Sequence, residues 1–132
     1  MSLKITLKPY EKIIVGDAVI TNGASTCHLS VENNVPVLRQ ADIITDAEAT
    51  TPCRRLYLAV QLMYIDDAKK ADILPLYRDL VDDLLGVVPG MKDLITQTNE
   101  YIVKRKYYQA LKLAKKLITY EEELLRNVPK TI

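Results

Sequence analysis

The segment ATTPCRRLYLAVQLMYI, Ala49 through Ile65, is where the hydrophobic period of the chain changes. Leu56, Ala59, Val60, Met63 and Tyr64 recur at steps of three and four, the spacing of one face of a helix. Thr51 followed by Pro52 supplies a hydroxyl N-cap and a proline at the first helical position, where a missing N–H does no harm. Upstream the period is two. Leu3, Ile5 and Leu7 alternate with polar residues as a half-buried strand does. Further short strands are predicted at 12–15, 18–21, 27–31 and 35–38, with reversals at Pro9-Tyr10-Glu11, Gly16-Asp17, Asn22-Gly23 and Asn33-Asn34. The expected arrangement is a meander too short to stand without a cover, which the rest of the chain supplies.

Downstream, a helix is predicted over 71–85, with Pro75 in its first turn and Gly86 as its stop. Two more are predicted over 91–103 and 107–125. Left unbroken, these last two would form a rod of about 35 residues and roughly 50 Å, so a bend is expected at Lys104–Lys106. The fold class is therefore α+β: residues 1–48 form a lobe of about five short antiparallel strands, and residues 49–132 a lobe of three to four helices.

Apolar residues make up 48% of the 132-residue chain and charged residues 27%, values that suit a soluble globular protein. With eight Tyr and neither Phe nor Trp, the core must be aliphatic, each buried phenol needs a partner for its hydroxyl, and several Tyr should reach the surface. No apolar run approaches the roughly 18 residues of a membrane helix, and no secretory signal opens the chain, so the expected location is the cytoplasm with no membrane contact. Cys27 and Cys53 lie too far apart for a metal knuckle, and one histidine, His28, cannot complete a zinc site with them. Both thiols should be reduced and partly buried. His28 stands in a strand without a catalytic companion and is expected to pack there. Asp66-Asp67 and Asp82-Asp83 lack the glycine and ligand periodicity of a calcium loop and are expected to be caps and a solvated face. No phosphate loop, nucleophile elbow or metal signature occurs, so no enzyme activity, cofactor or metal is expected.

Several stretches resemble the FlbT family of flagellin regulators: Leu7-Lys8-Pro9 with Glu11, Gly16 through Ala18-Val19-Ile20, Asn22-Gly23, Val37-Leu38-Arg39 with Asp42-Ile43, and Ala49-Thr50-Thr51-Pro52 through Arg55-Leu56-Tyr57. The resemblance is densest over the first 65 residues. It implies a post-transcriptional regulator, normally a repressor, that binds the leader of flagellin mRNA and alters its stability or translation. After Asn22-Gly23, where the family pattern has an acidic residue and arginines, this chain reads Ala24-Ser25-Thr26. The first 43 residues are also loosely similar to the RNA-binding CsrA proteins, through Leu3-Lys4-Ile5-Thr6, Ile14-Val15-Gly16-Asp17 and Val35-Pro36-Val37-Leu38-Arg39. That likeness implies RNA contacts at Arg39 and along the edge of the first strand, at Lys4, Thr6 and Lys8. Arginine beside an open strand edge can hold phosphate while the edge meets unpaired bases.

The charges point to further candidates. Arg54 and Arg55 stand in a first helical turn, which disfavours cations; either an ion pair with Asp42, Asp46 or Glu48 or a phosphate contact accounts for them. Residues 101–120 carry six cations and no acid. Lys104, Arg105 and Lys106 are consecutive, Lys112, Lys115 and Lys116 share a helix face, and Tyr107 and Tyr108 interleave. Six phosphate contacts would give a salt exponent of about −4, at roughly −0.7 per contact; the alternative is a solvated face partly neutralised by Glu121–Glu123. The expected partners are the flagellin mRNA leader, met by the strand lobe 1–48, and, through the helical lobe 49–132, a second flagellar regulatory protein and further copies of the chain in a homodimer or higher oligomer. The competing class is a protein-binding flagellar adaptor or chaperone that affects RNA only indirectly.

Overall fold

The computed structural model describes residues 2–127 and is α+β: five antiparallel strands precede four helices. The chain divides into two compact units between Ile43 and Ile44.

In the first unit, β1 (Leu3–Leu7) pairs with β4 (Cys27–Val31), and β2 (Lys12–Val15) lies between β3 (Ala18–Thr21) and β5 (Val37–Arg39). The strands match the alternation, the last one shifted to Val37–Arg39, but the pairing is not a meander. Two sheets form instead, and they cover each other: Ile5, Leu7 and Ile13 are buried in one cluster with Val15, Cys27, Leu29, Val31 and Val37 packed on it. Gly16, at φ +61°, opens the two-residue loop of the β2–β3 hairpin, a position that wants a residue without Cβ. Asn22 does more than turn the chain. Its side-chain nitrogen donates to the carbonyls of Lys8 (2.8 Å) and Ser25 (3.0 Å), tying the end of β1 to the approach to β4.

In the second unit, α1 (Pro52–Ile65), α2 (Lys70–Val87), α3 (Lys92–Val103) and α4 (Tyr107–Arg126) are joined by short turns. The Thr51 hydroxyl accepts the Arg54 N–H at 3.3 Å as the expected N-cap. Leu56, Ala59, Val60 and Met63 are buried, whereas Leu62 is on the outer face. Two details of α2 differ from expectation. It begins early enough to place Pro75 beyond the first turn, and it runs through Gly86 to Val87. Glycine stops a helix only where the chain turns left-handed; Gly86 has no positive φ, and Pro89 opens the following 3-10 turn. Helix α2 packs on α1, α1 on α4, and α4 on α3. No helix among the described residues is long and apolar enough to cross a membrane.

The α3–α4 bend falls where it was expected. Lys104 closes α3, Arg105 adopts φ +58°, and the Lys106 N–H reaches back to the Tyr101 carbonyl at 2.8 Å. This left-handed residue with a six-to-one bond is a Schellman-type stop.

Candidate nucleic-acid interface

On the strand unit, Lys4 and Thr6 alternate outward with Ile5 and Leu7 turned in, and face Ser30 and His28 of β4 in register. Thr6 Oγ1 lies 3.0 Å from His28 Nδ1, so the histidine packs by a side-chain hydrogen bond. Lys8 is exposed just past the strand. Arg39 is brought to the same place by β5, but its guanidinium is engaged: Nη2 donates to the Thr6 carbonyl at 2.6 Å and sits 3.4 Å from Glu11. Glu11 in turn accepts the Lys8 backbone N–H at 2.9 Å. That bond, followed by the Arg39 guanidinium, holds the Glu11 carboxyl below the usual carboxylate range. Lys4, Thr6, Lys8 and Arg39 thus do converge, with an acid among them.

Arg54 and Arg55 belong to the helical unit. Arg54 Nη1 meets Thr50 Oγ1 at 3.4 Å, Arg55 is exposed, and Glu48 is taken up by a capping box with Thr45. The first turn of α1 is also where α4 delivers Glu121, whose Oε2 accepts the Cys53 N–H at 3.0 Å. Lys104, Arg105 and Lys106 precede the other end of α4, so the two cationic groups stand about 20 Å apart along that helix.

The turn itself is the most concentrated positive feature. Lys104, Arg105 and Lys106 are all exposed on a backbone fixed by the Schellman stop. Of the two interleaved tyrosines, Tyr107 is buried and gives its hydroxyl to Asp67 at 2.6 Å; burial, then that bond, pushes its phenol well up. Tyr108 remains at the surface with Lys112 Nζ 4.8 Å from its ring centroid. Asp67 is also 3.8 Å from Arg105, an exposed pair that offsets little. Asp66, as expected, caps a turn, accepting the Ala68 N–H.

One neighbour escaped the sequence reading. Lys70, at the start of α2, donates from Nζ to the Ile102 carbonyl at 3.2 Å and lies 5.9 Å from the Tyr107 ring centroid, which brings it beside the basic turn. Its distance of more than thirty residues from that turn hid it; its place at a helix start, ahead of the apolar face of α2, was the available signal. Among the described residues no group of His, Cys, Asp or Glu is arranged to hold a metal ion.

The family model for the flagellar protein FlbT matches residues 3–125. A protein of Bradyrhizobium diazoefficiens named probable flagellum biosynthesis repressor protein FlbT 1 is 46% identical over 125 residues, covering 94% of this chain and 85% of that one. The probable flagellum biosynthesis repressor protein FlbT of Rhodopseudomonas palustris is 39% identical over 129 residues, 95% of this chain and 98% of its own. The flagellum biosynthesis repressor protein FlbT of Caulobacter vibrioides is 36% identical over 131 residues, 97% and 92% of the two chains. No solved structure matches.

Proposed function

This chain belongs to the FlbT family of flagellar proteins, and from that premise we propose that it represses flagellin synthesis after transcription, binding the flagellin mRNA leader in the cytoplasm and lowering its stability or translation. The relatives are named as repressors of flagellum biosynthesis, a regulatory role that asks for occupancy of a target and no reacting group. The observation that carries the RNA reading is the turn Lys104–Lys106: three adjacent exposed cations on a fixed backbone, with Lys70 beside them and Tyr108 exposed nearby. Phosphates of an unpaired strand meet such a cluster without ordering a loop first. The margin of β1 with Lys4, Thr6, Lys8 and Arg39 is the second contact region, weakened by the commitment of Arg39 to Glu11 and the Thr6 carbonyl. Arg54 and Arg55, about 20 Å from the turn, are peripheral to it. Homo-oligomers belong to the same proposal, supported by the edge strand β3, whose Val19 and Ile20 are exposed.

The test is a titration of labelled flagellin leader RNA at two salt concentrations. Replacing Lys104, Arg105 and Lys106 together by alanine is expected to weaken binding and to reduce the salt exponent by about 2, at roughly 0.7 per lost contact; Arg39→Ala is expected to do much less. Equal binding by wild type and the triple variant would refute the assignment to the turn.

A protein-adaptor reading rests on a different feature, an apolar cleft of about 370 Å³ at the far end of α4, lined by Pro52, Leu84, Val87, Leu124 and Leu125 among others. A second flagellar regulatory protein would seat there, and RNA effects would then be indirect. Wild-type protein that binds no leader RNA would favour it.

A further inference from the structure

Helices α2 and α3 each lean on the inner pair α1 and α4 and face one another across a groove of about 460 Å³, within the range of small-ligand sites. Two polar ties cross it. The Tyr77 hydroxyl donates to Asn99 Oδ1, and Lys70 Nζ donates to the Ile102 carbonyl. The walls are apolar, from Leu74 and Val81 on α2 to Ile102 and Val103 on α3, while Lys70, Arg78 and Asp82 supply the charges. We infer that this groove is a subsite for one unpaired ribonucleotide of the bound RNA, its phosphate on Lys70 and Arg78 and its base against the aliphatic walls beside Asn99.

The inference rests on the RNA-binding reading and deepens it by naming where a base goes. Four features converge. The groove begins at Val103, the residue before the basic turn, so a strand crossing Lys104–Lys106 arrives at its mouth. Its lining carries two cations against one acid, which favours an anion. Lys70 makes one hydrogen bond with an ammonium that has three donors, and Arg78 is exposed. The Tyr77 hydroxyl occupies Asn99 Oδ1 and so orients that amide, leaving its nitrogen as a donor at the floor. Burial raises the Tyr77 phenol well above its ordinary value, so the tie persists at any neutral pH. Asp82 supplies an acceptor for the N–H donors of a base, the exocyclic amine of cytosine, adenine or guanine or the ring N3–H of uracil.

The experiment uses the full chain. Side-chain amide signals of Asn99 and backbone signals of Ile102 and Val103 are followed while AMP, CMP, GMP, UMP, inorganic phosphate or a glutamate-rich peptide is added, and leader-RNA affinity is measured for Arg78→Ala. The nucleotides are expected to shift the groove signals more than phosphate alone. Arg78→Ala is expected to weaken leader RNA by about five- to ten-fold and to reduce the salt exponent by about 0.7, with an unchanged melting temperature because Arg78 is exposed. Lys70→Ala is the less decisive variant, since it also cuts the tie to Ile102. Wild-type affinity in Arg78→Ala alongside a weakened turn variant would overturn the subsite and leave the RNA reading standing. Failure of wild type to bind leader RNA removes both. A larger shift with the glutamate-rich peptide than with any nucleotide also overturns it, by assigning the groove to an acidic protein segment.

Discussion

Glu121 shows at the scale of one residue how a surface charge in sequence becomes an interior one in space. Its place among Glu121–Glu123 suggested neutralisation of the lysine face; instead its carboxylate is buried, one oxygen accepting the Cys53 N–H and the other without a partner among the described residues. The contact spans 68 residues, and no local spacing announces it. An anion at the first turn of α1 satisfies an otherwise unbonded N–H and complements the helix dipole. Glu121→Ala should therefore lower stability by about 1–3 kcal/mol in urea denaturation; a loss near zero would mean that the buried oxygen is no net support. Burial, reinforced by the Glu121 charge, pushes the Cys53 thiol up to about 12 from an ordinary 9.0. Between those values the unfolded chain releases a proton that the folded chain keeps, so stability falls as pH rises through that window. Tyr77 and Tyr107, both raised from 10.0 by burial, add the same sign above pH 10. Urea midpoints at pH 8, 10 and 11 should decline in that order, and Tyr77→Phe should flatten the decline; a rising series contradicts the assignment.

The elements were legible where a residue acts on its own backbone and obscure where it acts through a partner. Thr51-Pro52 read correctly because an N-cap needs only its own next turn. Strand bounds read well because alternation reports faces. Pairing did not, since alternation is silent on which strand lies alongside, and β1 chose β4 over β2. Leu7, Lys8, Glu11, Asn22 and Arg39, which carried the family resemblance, turn out to be joined through hydrogen bonds and an ion pair that hold the strand unit together. Much of that motif is scaffold. Gly86 was misread because a glycine marks a stop only at positive φ, and Arg105 was the residue that took that conformation. Two substitutions follow from the exchange. Gly86→Ala should raise stability by about 0.5–1 kcal/mol, since nothing lies within 4 Å of the added Cβ and the helix continues past it. Arg105→Gly should relieve about 1 kcal/mol of left-handed strain while removing one of three turn cations, so thermal stability should rise as leader-RNA affinity falls. Stability and affinity moving together would show that the turn acts on RNA only by being folded.

Over the whole molecule the charge is nearly balanced, at +1, so long-range attraction for polyanions is slight and any RNA affinity has to come from where the cations are placed. The two candidate regions lie on different units, divided at Ile43/Ile44, and differ in how their charges are spent. In the strand unit Arg39 answers Glu11 and the Thr6 carbonyl, within a small core of short strands. In the helical unit Lys104, Arg105 and Lys106 stand on a turn locked at both sides by helices, and among the described residues the long Asp67 contact is the one ion pair opposing them. A site formed in advance loses less conformational freedom on binding, which favours the turn. Hydrogen exchange separates the alternatives because it reports each backbone segment independently. Saturating leader RNA should slow exchange most at residues 101–108 and along 70–82, and less at 3–7. Protection confined to 3–7 would instead give the RNA to the strand margin, and would require the Arg39 guanidinium to leave Glu11 for a phosphate.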